Sequence, residues 1–412
     1  MHKMQLMTSI IHADRLGGVE HGGLHQAIYP SVQYGFERVE DLISVFQGAA
    51  KGAFNYARQG TPTTAALEKK LTLMEQGRGT VCFATGMGAL AAVFLSLLRA
   101  GDQLVASRYV FGNTNSLFCT LRNLGIEVAL VDACLASEVA SALRPNSRMV
   151  FVETVANPGT QIPDLAGIGV LCKGAGIPYV VDNTVTSPAL FVPRLVGASL
   201  VVNSLSKTLA GHGAALGGAV TDTGEFDWEN YPNIFENYRR GDPTMWGLQQ
   251  IRKKALRDMG ASLSPEQAHK ISIGMETLAL RVQRSSASAL ELARFLRTHP
   301  AVGAVHYPGL EEHPQFERAA TLFGAGSWLL SFDLRDVAAL PRVLNALRIP
   351  VKATGLGDSR TLIIPVAPTI FWEAGPTVRK EMGIGDGMVR VSVGLEDPSD
   401  LVRDFGHALS LS

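Results

Sequence analysis

Short apolar runs recur along this chain at residues 81–84, 103–106, 127–131, 149–153, 178–182, 199–203 and 217–220, and helix-length segments separate several of them. Runs of this length bounded by turn residues fit strands buried on both faces. Strands alternating with helices predict an α/β fold built on a mostly parallel seven-stranded sheet. Thr64 to Gln76 reads as a helix with Leu67, Leu71 and Leu73 on its apolar side. Beyond residue 222 the alternation stops. Phe226 to Arg240 reads as an irregular insertion and Trp246 to Met259 as a helix. Pro265 to about Arg297 reads as one long helix with Met275, Leu278, Leu280 and Val282 on apolar positions. It leads to a smaller α+β unit with strands near Val302–His306, Ser327–Asp333 and Met388–Val393. Residues 1–60 are rich in glycine, histidine and aromatics without clear periodicity, which predicts an extended arm that needs another surface to lie on. The expected division is an arm over 1–60, a large domain over 61–264 and a C-terminal domain over 265–412.

Thr80 to Leu98 carries no charge and is nearly long enough to span a bilayer, but it reads better as a strand, a turn and a buried helix. The 412 residues are enough for a large core. Lys plus Arg and Asp plus Glu both number 37, so charge gives no case for nucleic acid or an anionic membrane. Cys82, Cys119, Cys134 and Cys172 form no C-x-x-C pair and read as reduced core thiols. The ten histidines show no ligand spacing, so no metal is expected. The first eighteen residues lack the apolar stretch of a leader, and the expected compartment is the cytoplasm.

Polar residues gather just past the strands. Val81 to Ala84 leads to Thr85-Gly86-Met87 at a helix start, where free N–H groups suit a phosphate. Phe151-Val152 leads to Glu153 and Asn157-Pro158, and Tyr179 to Val181 leads to Asp182-Asn183-Thr184. Val201-Val202 leads to Ser204, Ser206 and Lys207. In open α/β sheets ligands collect at the carboxyl ends of strands. A lysine held there sheds its proton because desolvation disfavours the ammonium, and the neutral amine can attack a carbonyl to form an imine. An imine-forming lysine beside a phosphate cradle meets the demand of pyridoxal phosphate. Gly211, Gly213, Gly217 and Gly218 miss the Rossmann spacing, and Lys207-Thr208 lacks the glycine-rich lead of a P-loop. The alternatives are plainer: a solvated loop lysine at 207, a turn aspartate at 182 and a strand-end surface arginine at 390.

Ordered motifs along the chain resemble the Cys/Met-metabolism family of pyridoxal-phosphate enzymes, the cystathionine γ-synthase-like group of fold type I. They are Tyr56-Ala57-Arg58, Thr61-Pro62-Thr63, Thr85-Gly86-Met87, Phe111-Gly112-Asn113-Thr114, Glu153 with Asn157-Pro158, Val181 to Thr184, Ser204-Leu205-Ser206-Lys207, and Arg390 through Glu396-Asp397. The resemblance implies that Lys207 carries the cofactor and then shuttles protons, and that Asp182 faces the pyridine nitrogen. It implies a phosphate held by Gly86, Met87, Ser204 and Ser206, with Thr184 among the cofactor contacts. Tyr56 and Arg58 would reach that phosphate from a neighbouring subunit, and Tyr56 could also serve as an acid. This implies a homo-oligomer, a dimer of active-site pairs or a tetramer. Phe111 would stack on the ring, Asn157 would meet its phenolic oxygen, and Arg390 would clamp the α-carboxylate of a small amino-acid substrate.

Departures from the family bear on the reaction. Relatives commonly carry Tyr where Phe111 stands, and Phe cannot pass a proton. A thiolate leaving group gains from an acid, since a thiol titrates near about 8.5, whereas an acyl ester leaves as a carboxylate of an acid near about 4. Methionine γ-lyases typically have Cys at the place of Asn113. The Phe226 insertion and the stretch Arg257 to Pro265 resemble O-acetylhomoserine sulfhydrylases. Gly355 stands where relatives carry Ser or Asn, and Ile364 to Trp372 replaces a more polar stretch. The expected reaction is γ-replacement on an O-acylhomoserine; the rivals are a C–S lyase and a non-catalytic cofactor-binding protein.

Overall fold

The computed structural model describes residues 5–13, 15, 18–50 and 52–412. Seven strands make the large sheet: β1 (Gly79–Phe83), β2 (Gln103–Ser107), β3 (Glu127–Val131), β4 (Ser147–Glu153), β5 (Tyr179–Asp182), β6 (Leu200–Ser204) and β7 (Gly218–Asp222). Their order is β1-β7-β6-β5-β4-β2-β3, and only β7 runs antiparallel to its neighbours. Each of the seven apolar runs became one of these strands. Alternate residues serve the two faces: Val150, Val152, Val181 and Val201 enter one core, while Met149, Phe151, Val180 and Val202 enter the other. Both faces are covered, as a parallel sheet with no polar side requires.

Helix starts are fixed by local chemistry. Helix α1 (Leu6–His12) and α2 (Val39–Phe46) precede α3 (Pro62–Met74). Thr61 and Thr64 close a capping box at the start of α3, with Pro62 at its first position. Helix α4 (Gly86–Leu97) follows β1, and the Thr85 side chain accepts from the Gly88 N–H at 2.9 Å. Helix α5 (Gly112–Asn123) follows β2. Thr80 to Leu98 is therefore strand, turn and helix, and no helix among the described residues is long and apolar enough to cross a membrane.

The second sheet has five strands: β8 (Val302–His306), β9 (Leu329–Leu334), β10 (Val351–Lys352), β11 (Leu362–Pro365) and β12 (Met388–Ser392), in the order β10-β11-β12-β9-β8. It packs with the helices Leu278–Thr298 and Pro398–Leu409 around a separate apolar core. The short β10 and the Pro-terminated β11 carried too little pattern to be recognised in the sequence.

Four expectations need correction. The predicted long helix is two, Pro265–Met275 and Leu278–Thr298, separated at Glu276-Thr277. The buried guanidinium of Arg281 takes the Gly274 carbonyl at 2.6 Å and the Thr277 hydroxyl at 3.1 Å, and also reaches the Thr208 carbonyl at 2.7 Å. The break thus grips the backbone just after Lys207. Leu73 and Leu280, read as core, are 45% and 61% exposed. Cys119 is exposed rather than core, although all four thiols are free. The arm is not extended throughout: α1 places Ile10 in the same core as Leu67 and Leu71. Helix α2 has no buried residue.

Gly274 packs so closely that an added Cβ would stand 2.1 Å from the Ala210 carbonyl oxygen. Gly274→Ala is therefore expected to destabilise the protein by about 1–3 kcal/mol, as overpacking does. Urea denaturation followed by intrinsic fluorescence checks this.

Candidate active site

The carboxyl ends of β1, β2, β4, β5 and β6 open on one cavity of about 420 Å³. Strand order reverses between the parallel β2 and β4, since β2 is followed outward by β3 before the chain returns to β4. Such a switch point leaves a crevice between diverging loops. Gly86 and Met87 from the start of α4, Phe111 and Asn113 from the start of α5, Glu153 at the end of β4 and Asn157 beyond it line it. So do Asp182 at the end of β5 and Thr184 beyond it, Ser204 at the end of β6 with Ser206 and Lys207 beyond it, and Arg390 from β12.

Hydrogen bonds hold these groups in place. The Thr184 N–H donates to Asp182 Oδ1 at 2.9 Å, and Thr184 Oγ1 accepts from the Ser204 N–H at 2.8 Å. Ser206 Oγ accepts from the Gly217 N–H at 2.9 Å, which folds the strand after the lysine loop back beside it. At Gly86 an added Cβ would lie 2.7 Å from Ser204 Cβ, so only glycine lets the start of α4 meet the end of β6. The Phe111 N–H donates to Glu153 Oε1 at 2.6 Å. Arg390 Nη1 donates to Asn157 Oδ1 at 3.3 Å, and Nη2 donates to the carbonyls of Thr354 and Gly355 at 2.9 and 3.0 Å. Gly355 thus acts through its backbone and does not itself line the cavity.

Burial tunes the charges. It lowers the pKa of Lys207, with the Arg390 cation adding to the effect, so loss of the ammonium proton is eased. It pushes Asp182 up to about 6, against the pull of its bonds to Thr184. Burial and the neighbouring Asp182 raise Glu153 well above the carboxylate range. Burial lowers Arg390 to about 10, which still leaves it charged, and no carboxylate is among its hydrogen-bond partners.

Besides Gly355, the predicted site residues that lie apart from this cavity are Tyr56 and Arg58. Tyr56 is 39% exposed, with the Arg58 guanidinium 5.3 Å from its ring centroid. Arg58 donates to the Arg257 carbonyl, and its own carbonyl accepts from Ser262 Oγ at 2.7 Å. Both stand on the surface beside residues 257–262.

A family model described as Cys/Met metabolism PLP-dependent enzyme matches residues 7–410. The chain belongs to that family. It is 34% identical over 411 residues to an L-methionine γ-lyase of Fusobacterium nucleatum, covering 99% of this chain and 98% of that one. It is 33% identical over 409 residues to an O-acetyl-L-homoserine sulfhydrylase of Leptospira meyeri, covering 93% and 91%. A solved structure assigned as an O-acetylhomoserine (thiol)-lyase of Campylobacter jejuni, carrying a pyridoxyl-lysine monophosphate, superimposes with a TM-score of 0.93 at 29% identity over 99% of this chain and all of that one. A cystathionine γ-synthase of Xanthomonas oryzae, in complex with aminoacrylate and cysteine, gives 0.88 at 29% over 99% and 98%. The chain has fold type I, and its cofactor is pyridoxal 5′-phosphate.

The residues present fit that cofactor. A close-packed glycine cradle at Gly86, hydroxyls at 204 and 206, a buried carboxyl at 182 and a desolvated amine at 207 converge on one cavity. The Arg390 Nε is buried without a partner, which leaves a donor for an anion. Ile370, from the Ile364 to Trp372 stretch singled out in the sequence, does line the cavity, but sequence reasoning missed the rest of the apolar wall, Leu90, Val155, Leu216 and Leu356. Those positions belong to helix and loop segments whose orientation only packing determines.

A carboxyl raised by burial favours folding below its unfolded pKa, and that contribution is lost as pH rises through the folded value. In the cofactor-free protein Asp182 is thus expected to lower stability between about pH 4 and pH 6 as pH increases. Asp182→Asn should flatten that part of the profile relative to wild type, in chemical denaturation across pH 4–7.

Proposed function

We propose that this enzyme carries out γ-replacement on an O-acylhomoserine. The Cγ–O bond breaks, the acyl group leaves as a carboxylate with both electrons of that bond, and sulfide or a small thiol forms the new Cγ–S bond. When bound, the cofactor supplies the electron sink that makes protons on the substrate's α- and β-carbons acidic. Lys207, once free of the cofactor, would move protons at those carbons, because burial lowers its pKa and eases loss of the ammonium proton. Asp182 would hold a proton on the ring nitrogen, and a cationic partner there would draw its own pKa back down. Gly86, Met87, Ser204 and Ser206 would hold the phosphate, Phe111 would cover the ring, and Arg390 would clamp the α-carboxylate. Tyr56 and Arg58, exposed and outside their own cavity, would complete the neighbouring subunit's site, which makes the working unit a homo-oligomer.

The observation that carries the reaction is the residue at 111. Its ring lines the cavity without a hydroxyl, while the neighbouring Glu153 accepts that residue's own N–H. No phenol stands at 111 to protonate a thiolate, so the chemistry favours a leaving group that departs as a stable carboxylate. A C–S lyase is the second reading, supported by the apolar wall, which suits a methylthio group, and by the similarity to methionine γ-lyases. Purified holoenzyme with O-acetyl- or O-succinylhomoserine and sulfide is expected to form homocysteine. Release of 2-oxobutanoate from methionine without added thiol, and no homocysteine, would replace this reading with the lyase.

Two variants extend the test. Phe111→Tyr is expected to raise 2-oxo acid release from cystathionine by about tenfold or more, toward the gain of general-acid help. Arg390→Gln is expected to raise KM for the amino acid by roughly 10- to 100-fold, the cost of losing charged hydrogen bonds. Steady-state kinetics read both.

A further inference from the structure

The side chains next in sequence to the cavity residues form a second polar layer on the other face of the sheet. Asn183 stands between Asp182 and Thr184, Asn203 precedes Ser204, and Thr154 follows Glu153. Strand residues alternate in direction, so these neighbours point away from the cavity, into the core that holds Val152, Val181 and Val201. An apolar core would suit that face, yet Thr154, Asn183 and Asn203 are all buried there. The two asparagines share one partner, Glu75, at the carboxyl end of α3, which has no solvent exposure.

Glu75 Oε1 accepts from Asn183 Nδ2 at 3.1 Å and from Asn203 Nδ2 at 2.7 Å. Asn183 Nδ2 also donates to the Phe191 carbonyl at 2.9 Å, and Asn183 Oδ1 accepts from the Thr186 hydroxyl. Thr186 in turn meets the Thr154 hydroxyl at 2.8 Å. One carboxylate oxygen thereby joins the ends of β5 and β6, and the network continues to β4. A buried, half-satisfied carboxylate is costly. Burial pushes Glu75 up to about 7 even with both amides pulling it down, and its Oε2 has no partner. Leu or Met would fill the space more cheaply among Leu71, Met74 and Val201.

We propose that Glu75 is a positioning residue for cofactor binding: through Asn183 and Asn203 it sets the distance and register between the Asp182 carboxyl and the Ser204 end of the lysine loop. The ring-nitrogen partner and the phosphate cradle lie on separate strands, and backbone hydrogen bonds alone permit small slips at strand ends. The Asn183 N–H to Val202 carbonyl bond, at 2.8 Å, lies next to this pair. The shared carboxylate oxygen tethers both ends to α3. This rests on the assignment of Asp182 and Ser204 to the cofactor.

The test titrates cofactor-free full-length protein with pyridoxal phosphate and records the pH midpoint of the bound cofactor's visible band. Glu75→Ala is expected to raise the apparent Kd about tenfold or more, as loss of hydrogen bonds to a charged group would, and to shift that midpoint. Glu75→Gln keeps an accepting oxygen and is expected to bind within about threefold of wild type. Asn203→Ala removes one arm of the network and serves if Glu75→Ala does not fold; the same loss of affinity and shift are expected. A Kd within twofold of wild type and an unmoved band in these variants, with melting lowered equally in the cofactor-free and loaded forms, would reduce Glu75 to a purely structural residue. A Gln variant as weak as the Ala variant would also overturn the role of the accepting oxygen. If wild-type protein develops no visible band, the assignment of the cavity fails instead.

Discussion

Removal of charge from water is the constraint on which this structure turns. Lys207 and Arg390 share a cavity with Asp182 and Glu153, and all four are largely withdrawn from solvent. Water would erase the differences among them; burial enlarges them. The amine is biased to its neutral form and the two carboxyls toward their protonated forms, while the guanidinium keeps its charge. A set of groups with these biases is ready to take an anionic, carbonyl-bearing cofactor and an amino acid. The cost is met by the rest of the large unit, whose two apolar cores hold the strand ends rigid on both faces.

Much of this was legible because strand chemistry is local. Seven short apolar runs marked seven strands, and the polar residues after four of them marked the cavity wall. Asp182, Ser204 and Lys207 could be placed from their own neighbours. Legibility failed where long-range packing decides. Nothing near Leu280 or Leu73 in the chain says which side of a helix will be covered. The break at Glu276-Thr277 depends on Arg281 reaching the Gly274 and Thr208 carbonyls, a contact between distant segments. Asn183 and Asn203 were visible as residues, but their meeting through Glu75 requires α3 to end beneath β5 and β6.

The reaction itself sits at the least legible level. One ring without a hydroxyl lines the cavity at 111, and features of that size govern leaving groups rather than folds. Relatives with unlike activities at near-equal identity are the expected result.

Arg390 belongs to the second sheet, whereas Asn157, which it touches, lies in the loop after β4 of the first; close by, the Ser331 hydroxyl donates to the Pro158 carbonyl at 2.8 Å. The two halves of the chain are therefore fastened together at the very place where a small molecule would lie. Occupancy of that seam and cohesion between the halves become one thermodynamic quantity, so whatever fills the seam also resists their separation.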